Sequence, residues 1–407
     1  MSNANVQIPI RTSKRTQRVA ASATQAVEGK VAEMRAAGIP VISFGAGEPD
    51  FPTPSAIKDQ GHDAINTNLT KYTPAGGTMP LRKAIVAKLK TQTEYDYKWQ
   101  NVIVTNGGKE AIFLAIMALC DSGDEVIVPA PYWVSYPEMV KLADATPVII
   151  PTGIETEFKL TREMLDQHTT ANTRMILLCS PSNPTGSVYT RAELEMIADW
   201  MRGNQAILLT DELYDNIVYD GAYARWLEVA PDLIDRTIVI NGLSKSVAMT
   251  GWRIGFAATS RDEYAKAMGK VQSHSTSHPS SVSQHAALKA YTANLDDEIA
   301  KMVAAFKERR AWIVNALNEI PGIKCANPPG AFYVFPDLRG LFGKPLKNGR
   351  VLNTSEEVAL YLLAEAKVGL THGEAFGAPG YARLSYALAM SSIQEGIARI
   401  KAALELA

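Results

Sequence analysis

Short apolar runs alternate with amphipathic stretches through the middle of this chain. Between about residues 100 and 260 the runs are Val102–Thr105, Glu125–Val128, Met175–Cys179, Ala206–Thr210, Thr237–Ile240 and Ile254–Ala258. They are continuous rather than alternating, which predicts strands of a mostly parallel sheet, covered on both faces by the helices between them. Upstream, a helical pattern begins near Ser22, and "PVISFGAGEPDFPTP" (Pro40 to Pro54) predicts a strand leading into a rigid Gly/Pro loop. Downstream, from about 285 to 320, the charged pattern "DDEIAKMVAAFKERRAWIVNALNEI" predicts a helical crossing to a second domain. The strands of that domain would include Ala331–Phe335 and Ala382–Tyr386. No internal repeat, low-complexity segment or long linker interrupts the pattern.

Ligands of open α/β sheets collect at the carboxyl ends of the strands. Here those ends read TNGGKE after Val104, PAPYWVSYP after Val128, SPSNPTG after Cys179, DELY after Thr210 and NGLSK after Ile240. Each is rich in Gly or Pro or carries an isolated polar side chain. Five such exits in one sheet predict a single composite site.

Bulk properties narrow the class of protein. A chain of 407 residues exceeds what one core usually holds, so two domains are expected. Basic and acidic residues number 41 and 42, giving a net charge of −1, so neither nucleic acid nor an anionic membrane is expected as a partner. The three cysteines, Cys120, Cys179 and Cys325, include no CxxC pair, which points to a reducing compartment. The first residues lack the apolar core of a signal peptide, and the apolar stretch Ala111 to Cys120 is too short to span a bilayer. A cytoplasmic protein is expected.

Lys245 stands at a strand end between Ser244 and Ser246, where burial could strip its charge and make it nucleophilic. Asp211 directly follows an apolar run, so its carboxylate needs a cationic or hydrogen-donating partner. Tyr214, three residues on, faces a similar way if the segment turns helically. Asn183 reads equally as a turn residue before proline. Arg253 is either a structural ion-pair arginine or, with Ser244, a bidentate phosphate grip. Gly107 and Gly108, at a strand–helix junction, expose backbone amides suited to an anion, although the motif is neither a Walker loop nor GxGxxG. Trp133 is either a core aromatic or a flat surface for a planar ring. One ligand uses all of these: pyridoxal 5′-phosphate, which offers an aldehyde to a lysine, a ring nitrogen to a carboxylate and a phosphate to glycines and arginine.

The stretches FGAGEPDFPTP, KYTPAGG, VTNGGKEAI, SGDEV, PAPYWVSYPE, SPSNPTG, TDELY, NGLSK, MTGWRIG, PPGAFYVFP and GYARLSYAL, in this order, resemble the class I aminotransferases of fold type I. The resemblance is strongest to the bacterial subgroup of aspartate and prephenate aminotransferases and runs from about Arg15 to the end. It implies an α/β fold in which a large domain with a mostly parallel central sheet is joined by a smaller α/β domain built from both chain ends. Residues 1–48 would form an N-terminal arm and part of the small domain, 49–290 the large cofactor-binding domain, and 291–407 the connecting helix and C-terminal small domain. The resemblance also implies roles. Lys245 would form the Schiff base, Asp211 would keep the pyridine nitrogen protonated, and Tyr214 and Asn183 would bond the ring oxygen. Trp133 would stack on the ring, while Gly107, Gly108, the Lys109 backbone, Ser244 and Arg253 would hold the phosphate. Tyr72 would reach the phosphate of a neighbouring subunit, implying a homodimer with shared active sites. Arg383 would clamp the substrate α-carboxylate with Asn183 and the backbone of Gly47.

The same resemblance implies transamination of an acidic amino acid, aspartate first, with 2-oxoglutarate in ping-pong turnover, Lys245 acting as general base. Lys109, otherwise a solvated helix-start lysine, would read the distal substrate carboxylate with help from Arg15, and Thr73 is compatible with prephenate as substrate. Three residues depart from the pattern: Val247, His278 and His372. Together they are either neutral packing changes or marks of a specialised substrate. The competing readings are a lyase or synthase on the same scaffold and a cofactor-binding regulatory module. The latter usually carries a DNA-binding segment ahead of the domain, for which the roughly 30 polar residues preceding it here are too few.

Overall fold

The computed structural model describes residues 11–93 and 95–407. Its strands, in chain order, are β1 (Ile42–Ser43), β2 (Val102–Thr105), β3 (Glu125–Ala130), β4 (Thr146–Pro151), β5 (Thr173–Cys179), β6 (Ile207–Asp211), β7 (Thr237–Gly242), β8 (Gly255–Thr259), β9 (Tyr333–Val334), β10 (Val368–Gly369), β11 (Thr371–His372) and β12 (Ala382–Ser385). Seven of them make a central sheet in the order β2-β8-β7-β6-β5-β3-β4. Only β8 runs against its neighbours; β7, β6, β5, β3 and β4 are mutually parallel.

Helices cover both faces, which is why the strands are apolar at consecutive positions. Along β7, Ile238 and Ile240 join a core with the helices Gly108–Leu119 and Asp262–Ser275, while Val239 between them faces the opposite core. The same division sends Val126 and Val128 of β3 to one side and Ile127 to the other. Each fully buried aliphatic side chain of this kind contributes roughly 1.5–3 kcal/mol. All six runs read from the sequence are strands, with ends shifted by a residue or two. The seventh, β4, was not expected. Its sequence TPVIIP lies at the sheet edge, only partly buried, where prolines are tolerated and the apolar signal is diluted.

A second layer joins the two ends of the chain. Strand β1 pairs in parallel with β10, and β11, β12 and β9 form a small antiparallel sheet. The helices Asp296–Asn318 and Met390–Ala403 pack on it through Phe306, Ile313, Ile393 and Ile397, in one core with Phe44, Phe332 and Leu384. Among the described residues no helix is long and apolar enough to cross a membrane.

Candidate active site

Strands β2, β3, β5, β6 and β7 point the same way, so their five Gly/Pro-rich exits meet at one edge of the sheet. There they line a cavity of about 400 Å³, completed by the loop carrying Gly45 and Gly47 and by Arg383 of β12.

At its floor, Asp211 ends β6 and is buried. One carboxylate oxygen accepts from the Tyr136 hydroxyl at 2.6 Å and the other from the Leu213 amide at 3.2 Å. Burial pushes the Asp211 carboxyl above the usual range, and these two donors pull it back. Both are neutral, so a cationic ligand group beside Asp211 would find an unneutralised carboxylate. Lys245, half-buried at the β7 exit, donates its ammonium to the Gly47 carbonyl. Removal from water lowers it to about 8, with Arg383 and Arg253 adding to the effect and Glu48 and Asp211 opposing it.

Opposite this floor, Gly107 turns the chain with φ +79° into the helix that starts at Gly108. A Cβ at Gly107 would come within 2.6 Å of an Arg253 nitrogen, so the arginine lies directly against the turn. Arg253, itself at φ +57°, donates to the Thr250 and Asn106 carbonyls at 3.0 and 3.2 Å, which aims its guanidinium at the helix start. Ser244 is buried beside it and lines the same cavity. Backbone amides at a helix start, a hydroxyl and a guanidinium form a site for a doubly charged anion.

The third wall holds Arg383, buried on β12. It donates to the Asn183 side-chain oxygen at 3.0 Å and to the Gly45 carbonyl at 2.6 Å, and its Nε has no partner among the described residues. Its guanidinium lies 4.7 Å from the centre of the Tyr333 ring and 5.1 Å from that of Phe376. The Tyr214 hydroxyl meets the Tyr333 hydroxyl at 2.8 Å. At the rim, the Lys109 ammonium stands 4.9 Å from the centre of the half-buried Trp133 indole.

The chain as a whole is similar to known proteins. Residues 39–400 match the model of the family "Aminotransferase class I and II". The chain belongs to the class I and II aminotransferases. A curated aspartate aminotransferase of Streptomyces avermitilis is 46% identical over 98% of both chains. An aspartate/prephenate aminotransferase of Nitrosomonas europaea is 43% identical over 95% of this chain and 98% of that one. Among solved structures, the aspartate aminotransferase of Rhizobium meliloti superposes with a TM-score of 0.94 at 39% identity, covering 98% of this chain and 100% of that chain. The Thermus thermophilus enzyme with maleate superposes at 0.90 and 36% identity, covering 97% and 100%. The fold is therefore fold type I.

In this aminotransferase the cavity brings together Gly47, Gly108, Lys109, Trp133, Asn183, Asp211, Tyr214, Ser244, Lys245, Arg253 and Arg383, with Gly107 adjoining. Two candidates lie elsewhere. Arg15, half-exposed on the short helix Lys14–Gln17, is 3.0 Å from Asp144, which it shares with Arg18. That ion pair holds it outside the catalytic cavity. Tyr72 is 94% exposed and packs edge-on against the His278 ring, at 5.6 Å. Within the cavity Arg383 grips the Gly45 carbonyl, while the Gly47 carbonyl accepts from Lys245. Val247 is buried in the sheet core away from the cavity, and His372 pairs with Glu374 at 2.9 Å. Two residues of the site were not singled out, Tyr136 and Tyr333. Both lie inside quoted motifs, PAPYWVSYPE and PPGAFYVFP, but a tyrosine in an apolar run carries no sign of which neighbour its hydroxyl meets.

Proposed function

We propose that this aminotransferase uses pyridoxal 5′-phosphate to move the amino group of aspartate, or of a related acidic amino acid, to 2-oxoglutarate in ping-pong turnover. One observation carries the reading: a buried carboxylate with only neutral donors, Asp211, shares a cavity with a half-buried lysine, Lys245, whose proton is loosely held. The cofactor fits the residues present. Asp211 would meet its ring nitrogen, Tyr214 and Asn183 its ring oxygen, Trp133 its face, and Gly107, Gly108, the Lys109 backbone, Ser244 and Arg253 its phosphate. When bound, it supplies an aldehyde and an electron-accepting ring. The protein does the rest. Arg383 and Asn183 orient the substrate α-carboxylate, Lys245 takes the Cα proton as general base and returns it, and Asp211 favours the protonated ring nitrogen throughout.

For the distal carboxylate, Lys109 is the cation at the cavity rim. Dicarboxylate use is supported by the relatives' names and by maleate in the Thermus structure. Prephenate is a second candidate substrate, favoured by the same lysine and by the relative named for it. The exposed stretch with Ile65, Leu69, Tyr72 and Met79 supports a homodimer in which Tyr72 serves the partner's site.

A donor screen tests the reading by following the visible band of the holoenzyme as each amino acid is added. Aspartate and glutamate should convert it. In Lys109→Ala, KM for both should rise about tenfold, a lost charge-assisted contact, while that for alanine stays put. An equal rise with alanine removes Lys109 from specificity. Arg383→Lys should weaken every donor, by about a hundredfold, because a point charge cannot replace the planar fork.

A further inference from the structure

Resting on that reading, we propose that Tyr333 is a positioning residue for transamination, its hydroxyl setting the hydrogen bond of Tyr214 and its ring seating the carboxylate clamp Arg383. Tyr333 is fully buried on β9, in the layer built from the chain ends, whereas Tyr214 follows β6 of the central sheet. It touches three parts of the site at once. Its hydroxyl is 2.8 Å from that of Tyr214, its ring lies 4.7 Å under the Arg383 guanidinium, and a Cβ added to Gly47 would sit 2.7 Å from its oxygen.

The chemistry of two phenols fixes the direction of the bond. Each hydroxyl has one proton to donate. If Tyr214 spends its proton on the ring oxygen of the cofactor, it must accept from Tyr333. A donor that is itself accepting a hydrogen bond is polarised and donates more strongly. The Tyr333 hydroxyl therefore strengthens Tyr214 without touching the cofactor. Its ring acts separately: the guanidinium lies over the rings of Tyr333 and Phe376, and among the described residues its Nε has no hydrogen-bond partner to add a third fixed point. The hydroxyl and the ring should thus be separable by mutation.

Tyr333→Phe removes only the hydroxyl, and Tyr333→Leu removes the ring as well. With aspartate and 2-oxoglutarate, Tyr333→Phe should lower kcat about fivefold to tenfold, the effect of one lost hydrogen bond. A weaker donor stabilises the anionic ring oxygen less, so the pH midpoint of the holoenzyme's visible band should rise by about half a unit. Affinity for maleate, a dicarboxylate that tests the clamp without reacting, should stay within about twofold in Tyr333→Phe and weaken about tenfold in Tyr333→Leu. In a Tyr214→Phe background, Tyr333→Phe should move the midpoint no further, because its effect passes through Tyr214. A parental kcat and midpoint in Tyr333→Phe, or a midpoint shift that persists without the Tyr214 hydroxyl, overturns the hydroxyl role. Parental maleate affinity in a folded Tyr333→Leu overturns the ring's role; if that variant does not fold, Tyr333→Met, whose longer, adaptable side chain fills the space without an aromatic face, takes its place in the same maleate titration. Failure of the parent protein to bind pyridoxal phosphate or to transaminate sinks the functional reading instead, so the two failures are distinct.

Discussion

Lys245→Ala is expected to lower kcat by about ten-thousandfold or more, because the same amine serves as covalent anchor and as general base. Steady-state rates check the loss. Borohydride reduction followed by dialysis should leave cofactor on the parent protein and none on the variant; retained cofactor on the variant would identify another lysine. The residue should also be a burden on the empty protein. Its amine is lowered to about 8 in the fold, from an ordinary value near 10.5. Between those two values the unfolded chain binds more protons than the folded one, so stability due to this group rises with pH through the interval and is lowest below it. Lys245→Met, which keeps the volume and removes the charge, should therefore stabilise the cofactor-free protein at neutral pH, by on the order of 1–3 kcal/mol given the water in the cavity. The gain should shrink as the pH is raised from 8 towards 10.5. Thermal unfolding of the two cofactor-free proteins across that range measures it, and a pH-independent difference would assign the effect to packing alone.

Asp211→Asn should cost about a thousandfold in kcat while leaving the cavity's shape intact. The amide oxygen can still accept from the Leu213 backbone and the amide NH2 can donate to the Tyr136 hydroxyl oxygen, but the group carries no charge to hold a proton on a ring nitrogen. Single-turnover rates with aspartate and the pH dependence of the visible band check this; a loss below about tenfold would mean that the ring nitrogen needs no carboxylate partner. The cofactor-free variant should again be more stable than its parent at neutral pH. Burial raises the Asp211 carboxyl, so the ionised form present above that raised value is the one the fold disfavours. Lys245 and Asp211 should thus share a signature: each weakens the empty fold, and loss of either should lower turnover.

The large sheet was readable because both faces of its strands are covered, which demands apolar residues at every position from Val102 to Val104 or from Ile238 to Ile240. β4 escaped because its faces are only partly covered, so its positions need no such continuity and its prolines are tolerated at the edge. In the site, Lys245, Asp211 and the glycines at 107 and 108 stood out because a charge or a bare backbone beside buried sheet is costly without a purpose. Tyr136 and Tyr333 did not, since a buried tyrosine satisfies the apolar pattern whether or not its hydroxyl has work to do. Arg15 shows what a motif position leaves open: the side chain pairs with Asp144, an acidic neighbour 129 residues away that no local pattern announces.

By itself the sequence determined six of the seven strands of the large sheet, which of their ends are unusual, and the order of motifs that marks the family, because these depend on local periodicity and on residue chemistry. Tertiary structure alone decided that Arg383 grips the Gly45 carbonyl, that Tyr136 serves Asp211, and that Tyr333 joins Tyr214 to the clamp. Those contacts join segments 75 to 338 residues apart. Which partner a hydroxyl or guanidinium finds at that separation depends on how two independently patterned layers dock, and no local pattern encodes that distance.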